Sequence, residues 1–273
     1  MTDAPTAEPL DVTTSRQPSA EAPCSPLVLS LFPGIGLLDR AFEDAGFAVV
    51  RGPDLLWGGD VKRFHAVPGR FDGVIGGPPC QAFSPLVNVN IAQGREPAEN
   101  LIPEFERICG EAQPDWFVME NSTRAPIPRV DGYFVHSVVI NNRWLGERQN
   151  RVRRFSFGAR QQTPLWVTEL ALEHPHWEPA VTTSVGGRRR SVNPTGKGRQ
   201  NRTFEATEIA RDRSIEEECE LQGLPRDFLK DCPLTREGKK RVVGNGVPLP
   251  MGRAIARAVW RAVYGANEQA EQQ

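Results

Sequence analysis

"LVLSLFPGIGLLDRAFEDAGFAVV", residues 27–50, is the stretch that decides the fold. Its first six residues form a short apolar run, the pattern of a strand buried on both faces. "PGIG" interrupts that run. Beyond it, Leu37, Leu38, Ala41, Phe42 and Ala45 share one helical face, and Gly46 stands where a helix would stop. "FAVVR" (47–51) then reads as a second strand. Working outward, "FDGVIGG" (71–77) gives a third strand, "LIPEFERICGEA" (101–112) a helix and "DWFVME" (115–120) another strand. Strand and helix alternating in this way predict an α/β domain on a doubly wound, mostly parallel sheet.

The pattern changes downstream. "YFVHSVVINNRW" (133–144) and "RVRRFSFG" (151–158) read as strands with no helix between them. From 161 to 204 no period holds, and "SVGGRRRSVNPTGKGRQNR" is rich in turn residues and basic. Order returns at Ser214, where Ser-Ile-Glu-Glu is a capping box opening a helix that Gly223 would close. A last amphipathic helix is expected over about 251–264. The expected organisation is a tail at 1–26, a catalytic first part at 27–160, a small insert at 161–204, completion of the domain at 205–265 and a short tail at 266–273.

Bulk composition sets bounds on function. Thirty-three basic residues against 34 acidic ones leave a formal charge of −1, so no global field announces a polyanion partner. The distribution is uneven: residues 148–202 hold eleven Arg and Lys but only three acids, Glu169, Glu173 and Glu178. That segment is either a positive face for nucleic acid or a solvated charged loop. The five cysteines form no CxxC pair, and no signal peptide or apolar span of membrane length is seen; an intracellular, cytoplasmic protein with reduced thiols and no metal is expected.

Three loops carry the candidate chemistry. Phe32-Pro33-Gly34-Ile35-Gly36 joins the first strand to the first helix, where ligands of such folds bind. Cys80 follows two glycines and two prolines in "GGPPCQAFS" (76–84), a stiff loop at the end of the third strand. Glu120 ends the next strand. A thiol and a carboxyl on adjacent strand ends can serve as nucleophile and proton donor. Taken singly, each has a plain structural alternative, a core cysteine and a turn. Gln149, Arg151 and Arg153 alternate with period two on a predicted strand and would share one face.

Together, "FPGIG", "GGPPCQAFS", "MENS", "QNRVR", "LQGLP" and "GNGVPLP" occur in the order found in DNA (cytosine-5) methyltransferases, and the chain resembles that family over most of 27–263. The resemblance implies the methyltransferase version of the Rossmann-like sheet, with a small target-recognition insert. It implies S-adenosylmethionine as cofactor and a flipped cytosine in duplex DNA as substrate. Cys80 would add to C6 of the base, Glu120 would hold its Watson–Crick edge and donate at N3, and Arg151 and Arg153 would lie near O2 and the active-site loop. Phe32, Gly34, Gly36, Asp54, Asp60, Pro78, Asn245 and Val247 would surround the cofactor. Gln81, Ser84, Gln149, Arg188, Arg189, Arg190, Lys197 and Arg199 would meet the nucleic acid.

Departures accompany the resemblance. Asp54 and Asp60 are six residues apart, too close for the crossover helix the family places between the corresponding acids, which puts Asp54 as ribose ligand in question. Ser122 replaces a valine, and the insert is short for the family. A monomer acting on duplex DNA is expected, and whether a restriction endonuclease accompanies it stays open. The same chemistry on RNA, or a catalytically silent DNA-binding relative, are the alternative readings.

Overall fold

The computed structural model describes residues 25–83, 99–181 and 213–265. A six-stranded sheet runs through it in the order β2-β1-β3-β4-β7-β5, built from β1 (Leu27–Leu31), β2 (Ala48–Arg51), β3 (Gly73–Gly76), β4 (Trp116–Asn121), β5 (Phe134–Asn141) and β7 (Val152–Ala159). β1 to β4 are parallel; β7 pairs antiparallel with both β4 and β5. A two-residue strand, β6 (Gln149–Asn150), pairs with β8 (Glu178–Pro179) outside this sheet.

Alternation along each strand sorts the core into two layers. Val28, Ile75, Trp116 and Val118 face a layer formed with α1 (Leu37–Glu43) and α5 (Leu249–Val263). Leu29, Leu31, Val74, Phe117 and Met119 face the opposite layer, which α2 (Ile102–Ala112) fills with Phe105, Ile108 and Cys109. The sheet is thus covered on both sides, as the unbroken apolar strands require. Trp116 anchors the first layer: its fully buried ring stacks on Phe42 at 6.0 Å and its indole N–H donates to the Tyr264 hydroxyl. Two further helices, α3 (Ile215–Leu221) and α4 (Arg236–Asn245), precede α5. Ser214 and Glu217 form the expected capping box on α3, and Gly223 takes φ +77° just past its end.

Between β2 and β3, residues 52–72 carry only two 3-10 turns, Leu55–Trp57 and Val61–Arg63. The missing crossover helix that the Asp54–Asp60 spacing implied is absent here. Side chains of α2 take over its holding role. Arg107 donates to the carbonyls of Val61 and Phe64, and Glu111 accepts from the Ala66 amide, while Val61 and Ala66 pack into the layer beneath α2.

Residues 161–181 have no regular structure apart from β8, and the remainder of the expected insert, 182–204, lies outside the described residues, as do 1–24 of the tail.

Candidate active site

The loop after β1 is wound tightly. Phe32, Gly34 and Gly36 all take positive φ, +56°, +55° and +76°. For Phe32 that left-handed conformation costs about 1–3 kcal/mol, which the surroundings must over-determine. The Gly36 amide donates to the Pro33 carbonyl at 2.8 Å, and the Phe32 amide reaches Pro53. A Cβ on Gly34 would meet nothing within 4 Å, whereas one on Gly36 would lie 2.8 Å from Arg51 Nη2. The loop therefore offers an open face at Gly34 and a covered one at Gly36.

Arg51 belongs to a cluster that no local pattern announces. Its Nε lies 3.1 Å from Asp39 Oδ2, and the Ser30 hydroxyl donates to Asp39 Oδ1. Asp39 is fully buried; burial holds its carboxyl above the ordinary range, opposed by the Ser30 hydroxyl and by Arg51. A raised value means that ionisation is the costly state, so this group's contribution is full below the ordinary carboxylate range and lost as pH rises through the raised value. Asp39→Asn cannot ionise. Urea unfolding midpoints measured from about pH 4 to about pH 8 should show the wild type losing ground to the variant as pH rises. A difference constant with pH would contradict the assignment.

Asp54 caps the first 3-10 turn, accepting from the Leu56 amide through Oδ1 and from Gly34 N–H through Oδ2 at 2.8 Å. Asp60 caps the second turn through the Lys62 amide. Both are half-buried.

The third loop carries the thiol. β3 ends at Gly76, where a Cβ would sit 2.9 Å from the Leu31 carbonyl, so only glycine lets this strand approach β1. A Cβ on Gly77 would lie 3.2 Å from Glu120 Oε2. The loop thus passes directly over the carboxyl group. Pro78 is buried, and its carbonyl accepts from Asn121 Nδ2 at 3.0 Å, which ties the loop to the end of β4. Cys80 follows as a free, partly exposed thiol at the head of the turn Cys80–Phe83; Gln81 beside it is exposed. Ser84 lies outside the described residues.

Glu120 is 8% exposed, and its Oε1 lies 2.9 Å from Arg153 Nε. Burial raises its carboxyl above the ordinary range and outweighs the opposing charges of Arg153 and Arg151. Beside the Cys80 loop, burial thus favours the neutral form of this carboxyl more than exposure would.

The expected single polar face on 149–153 does not form. The chain bends at Arg151, whose amide turns back to the Gln149 carbonyl, and β6 and β7 belong to different sheets. Arg153 alone reaches Glu120. Arg151 is 3% exposed, and its guanidinium donates to the carbonyls of Val181, Gly244 and Gly246. Burial, and then the charge of Arg153, lowers its pKa to about 9, opposed by Glu120 and Cys80. The expectation that Gln149 meets nucleic acid is corrected here. It is fully buried, donating to the Leu221 carbonyl and to Gln222 Oε1 and accepting from the Val181 amide. Gln222 completes this node, donating to the carbonyls of Val243 and Gly246. Of the remaining cofactor candidates, Asn245 is exposed at the end of α4, while Val247 is buried against the layer of α1 and α5. Arg188, Arg189, Arg190, Lys197 and Arg199 lie outside the described residues. Among the described residues, no group of three His, Cys, Asp or Glu could hold a metal, and no helix is long and apolar enough to cross a membrane.

Residues 58–126, which span the Cys80 loop and β4, match the family profile described as C-5 cytosine-specific DNA methylase. Type II methyltransferase M.NgoPII of Neisseria gonorrhoeae is 29% identical over 49% of this chain and 48% of its own, so the match spans about half of that relative. Type II methyltransferase M.HgiDI of Herpetosiphon aurantiacus is 25% identical over 85% of this chain and 93% of its own. The solved structure of the Entamoeba histolytica methyltransferase EhMeth superposes with a TM-score of 0.58, covering 87% of this chain and 98% of that one at 12% identity, a likeness of fold alone. Over residues 58–126 the chain is thus similar to the C-5 cytosine-specific DNA methylases, and along most of its length it is similar to a type II methyltransferase.

Proposed function

We propose that the chain is a DNA (cytosine-5) methyltransferase acting on a cytosine flipped out of duplex DNA. The observation that carries this reading is the seating of the Cys80 loop over the buried Glu120–Arg153 pair at one edge of the sheet. S-adenosylmethionine, held along Phe32, Gly34, Gly36, Asp60, Pro78, Asn245 and Val247, would supply an electrophilic methyl group. The open face at Gly34 and the buried Pro78 fit such a ligand.

The chain's own residues account for the rest. Cytosine C5 is a poor nucleophile while the ring stays conjugated. Addition of Cys80 Sγ to C6 breaks that conjugation and moves the electron pair toward C5, which can then take the methyl group. Glu120, whose pKa burial raises, would donate at N3 and draw electrons from C6 as the Sγ–C6 bond forms. Loss of the C5 proton to water, with return of the N3 proton to Glu120, then restores the ring as the Sγ–C6 bond breaks and the sulfur leaves as thiolate. Arg153 fixes the carboxyl through its 2.9 Å contact; Arg151, spent on three carbonyls, holds the backbone that presents Arg153.

Glu120→Gln keeps the shape and removes the transferable proton. It should lower methyl transfer by about 10²–10⁴-fold while S-adenosylhomocysteine binding stays within a few-fold. The whole reading is tested by bisulfite sequencing of plasmid DNA from cells expressing the protein, beside a Cys80→Ala control. Protected cytosines in one sequence context, lost in the control, are expected. Labelled methyl transfer to RNA and none to duplex DNA would overturn the DNA reading, and transfer to neither would overturn the activity.

A further inference from the structure

The segment 51–57 grips the loop after β1 at more points than a passing chain would. The Gly52 amide donates to the Ser30 carbonyl and the Phe32 amide to Pro53. Gly34 is then held from both sides by side chains: its N–H by Asp54 Oδ2 at 2.8 Å, and its carbonyl by Trp57 Nε1 at 2.8 Å. Asp54 Oδ1 is taken up by the Leu56 amide, so both oxygens of this carboxylate already bind backbone donors of the protein. The Trp57 ring is 66% exposed, yet its only donor is turned inward to Gly34.

We infer that Asp54 and Trp57 are positioning residues that preset Gly34 and its flanking peptides for the cofactor, and that Asp54 is not a ligand of the cofactor's ribose. This rests on the reading above that the loop holds S-adenosylmethionine. The physical need is clear from the fold. Phe32 is in left-handed backbone, which a non-glycine residue keeps only where neighbours over-determine it, and Gly34, free to leave the same region, needs partners to stay in one conformation. With no helix packed between β2 and β3, that constraint falls to side chains of the short crossover itself. A loop fixed before the ligand arrives spends less of the binding energy on ordering.

Two measurements test this. In the ligand-free protein, amide exchange at Gly34 should be slow, and about tenfold faster or more in Asp54→Asn, where an amide N–H₂ must replace one acceptor. Trp57→Phe, which keeps a ring and loses the donor, should speed it too. Unchanged exchange in both variants would overturn the clamp. Calorimetry then compares S-adenosylhomocysteine with its 2′- and 3′-deoxyribose analogues. A positioning role predicts that Asp54→Asn weakens all three by the same factor, about tenfold. A ribose ligand predicts a loss confined to the compounds bearing the contacted hydroxyl, and that result would overturn the inference. Absence of any binding by the wild type would overturn the cofactor reading and the positioning role with it, an outcome the ligand-free exchange separates from failure of the clamp.

Discussion

Cys80→Ala should bind S-adenosylhomocysteine as the wild type does and transfer methyl groups at least ~10⁴-fold more slowly, down to the background of the assay. The size follows from chemistry: without a group that adds to C6, C5 has no route to becoming a nucleophile. Cys80 is partly exposed at the head of a short turn, so removing one sulfur atom leaves no core cavity and the fold should be unaffected. Tritiated methyl transfer to duplex DNA, with the melting temperature measured on the same samples, separates the two effects. Residual activity within tenfold of wild type would remove Cys80 from the mechanism.

Arg151→Met should give the largest loss of stability. The guanidinium is buried and donates to three carbonyls from two distant parts of the chain, Val181 in one and Gly244 and Gly246 in the other. Methionine fills much of the volume and satisfies none of them. Orphaning a buried acceptor costs about 1–3 kcal/mol, and backbone relaxation recovers part of it, so a loss on the order of 3–5 kcal/mol is expected. For a domain of this size that corresponds to a fall of roughly 10 °C in melting temperature. Arg151→Lys should recover part of the loss, because one ammonium can reach some of the acceptors but not all. A fall of less than about 2 °C in the methionine variant would mean that the three carbonyls find other partners.

The parts of this molecule that could be read in advance are those governed by local periodicity. β1, α1 and β2 follow from the apolar run, the helical face of Leu37, Leu38, Ala41 and Phe42 and the stop at Gly46. The Ser214 capping box follows from four consecutive residues. Motif order brought Cys80 and Glu120 forward together, and the Gly77 backbone, three residues before Cys80, passes over the Glu120 carboxyl. What failed was decided by partners far along the chain. The period-two spacing of Gln149, Arg151 and Arg153 suggested one face, but the acceptors that pull Gln149 and Arg151 inward lie at 181, 221, 244 and 246. No local pattern encodes them. The Ser30–Asp39–Arg51 cluster was invisible for the same reason, since strand, helix and strand each contribute one member.

The direction of β7 has a consequence for how such a centre can be assembled. β1, β3 and β4 deliver their loops where each strand stops, so everything they bring to that edge comes after a strand. β7 runs the other way between β4 and β5, and it brings to the same edge the residues with which it begins. Had it been parallel, Arg153 would sit near the opposite edge, roughly 25 Å away along an eight-residue strand, and the carboxyl of Glu120 would have no cation in reach. One reversed strand thus lets a late portion of the chain meet an early one without any long excursion, and the Glu120–Arg153 contact stays unmade until the chain has been completed past residue 153.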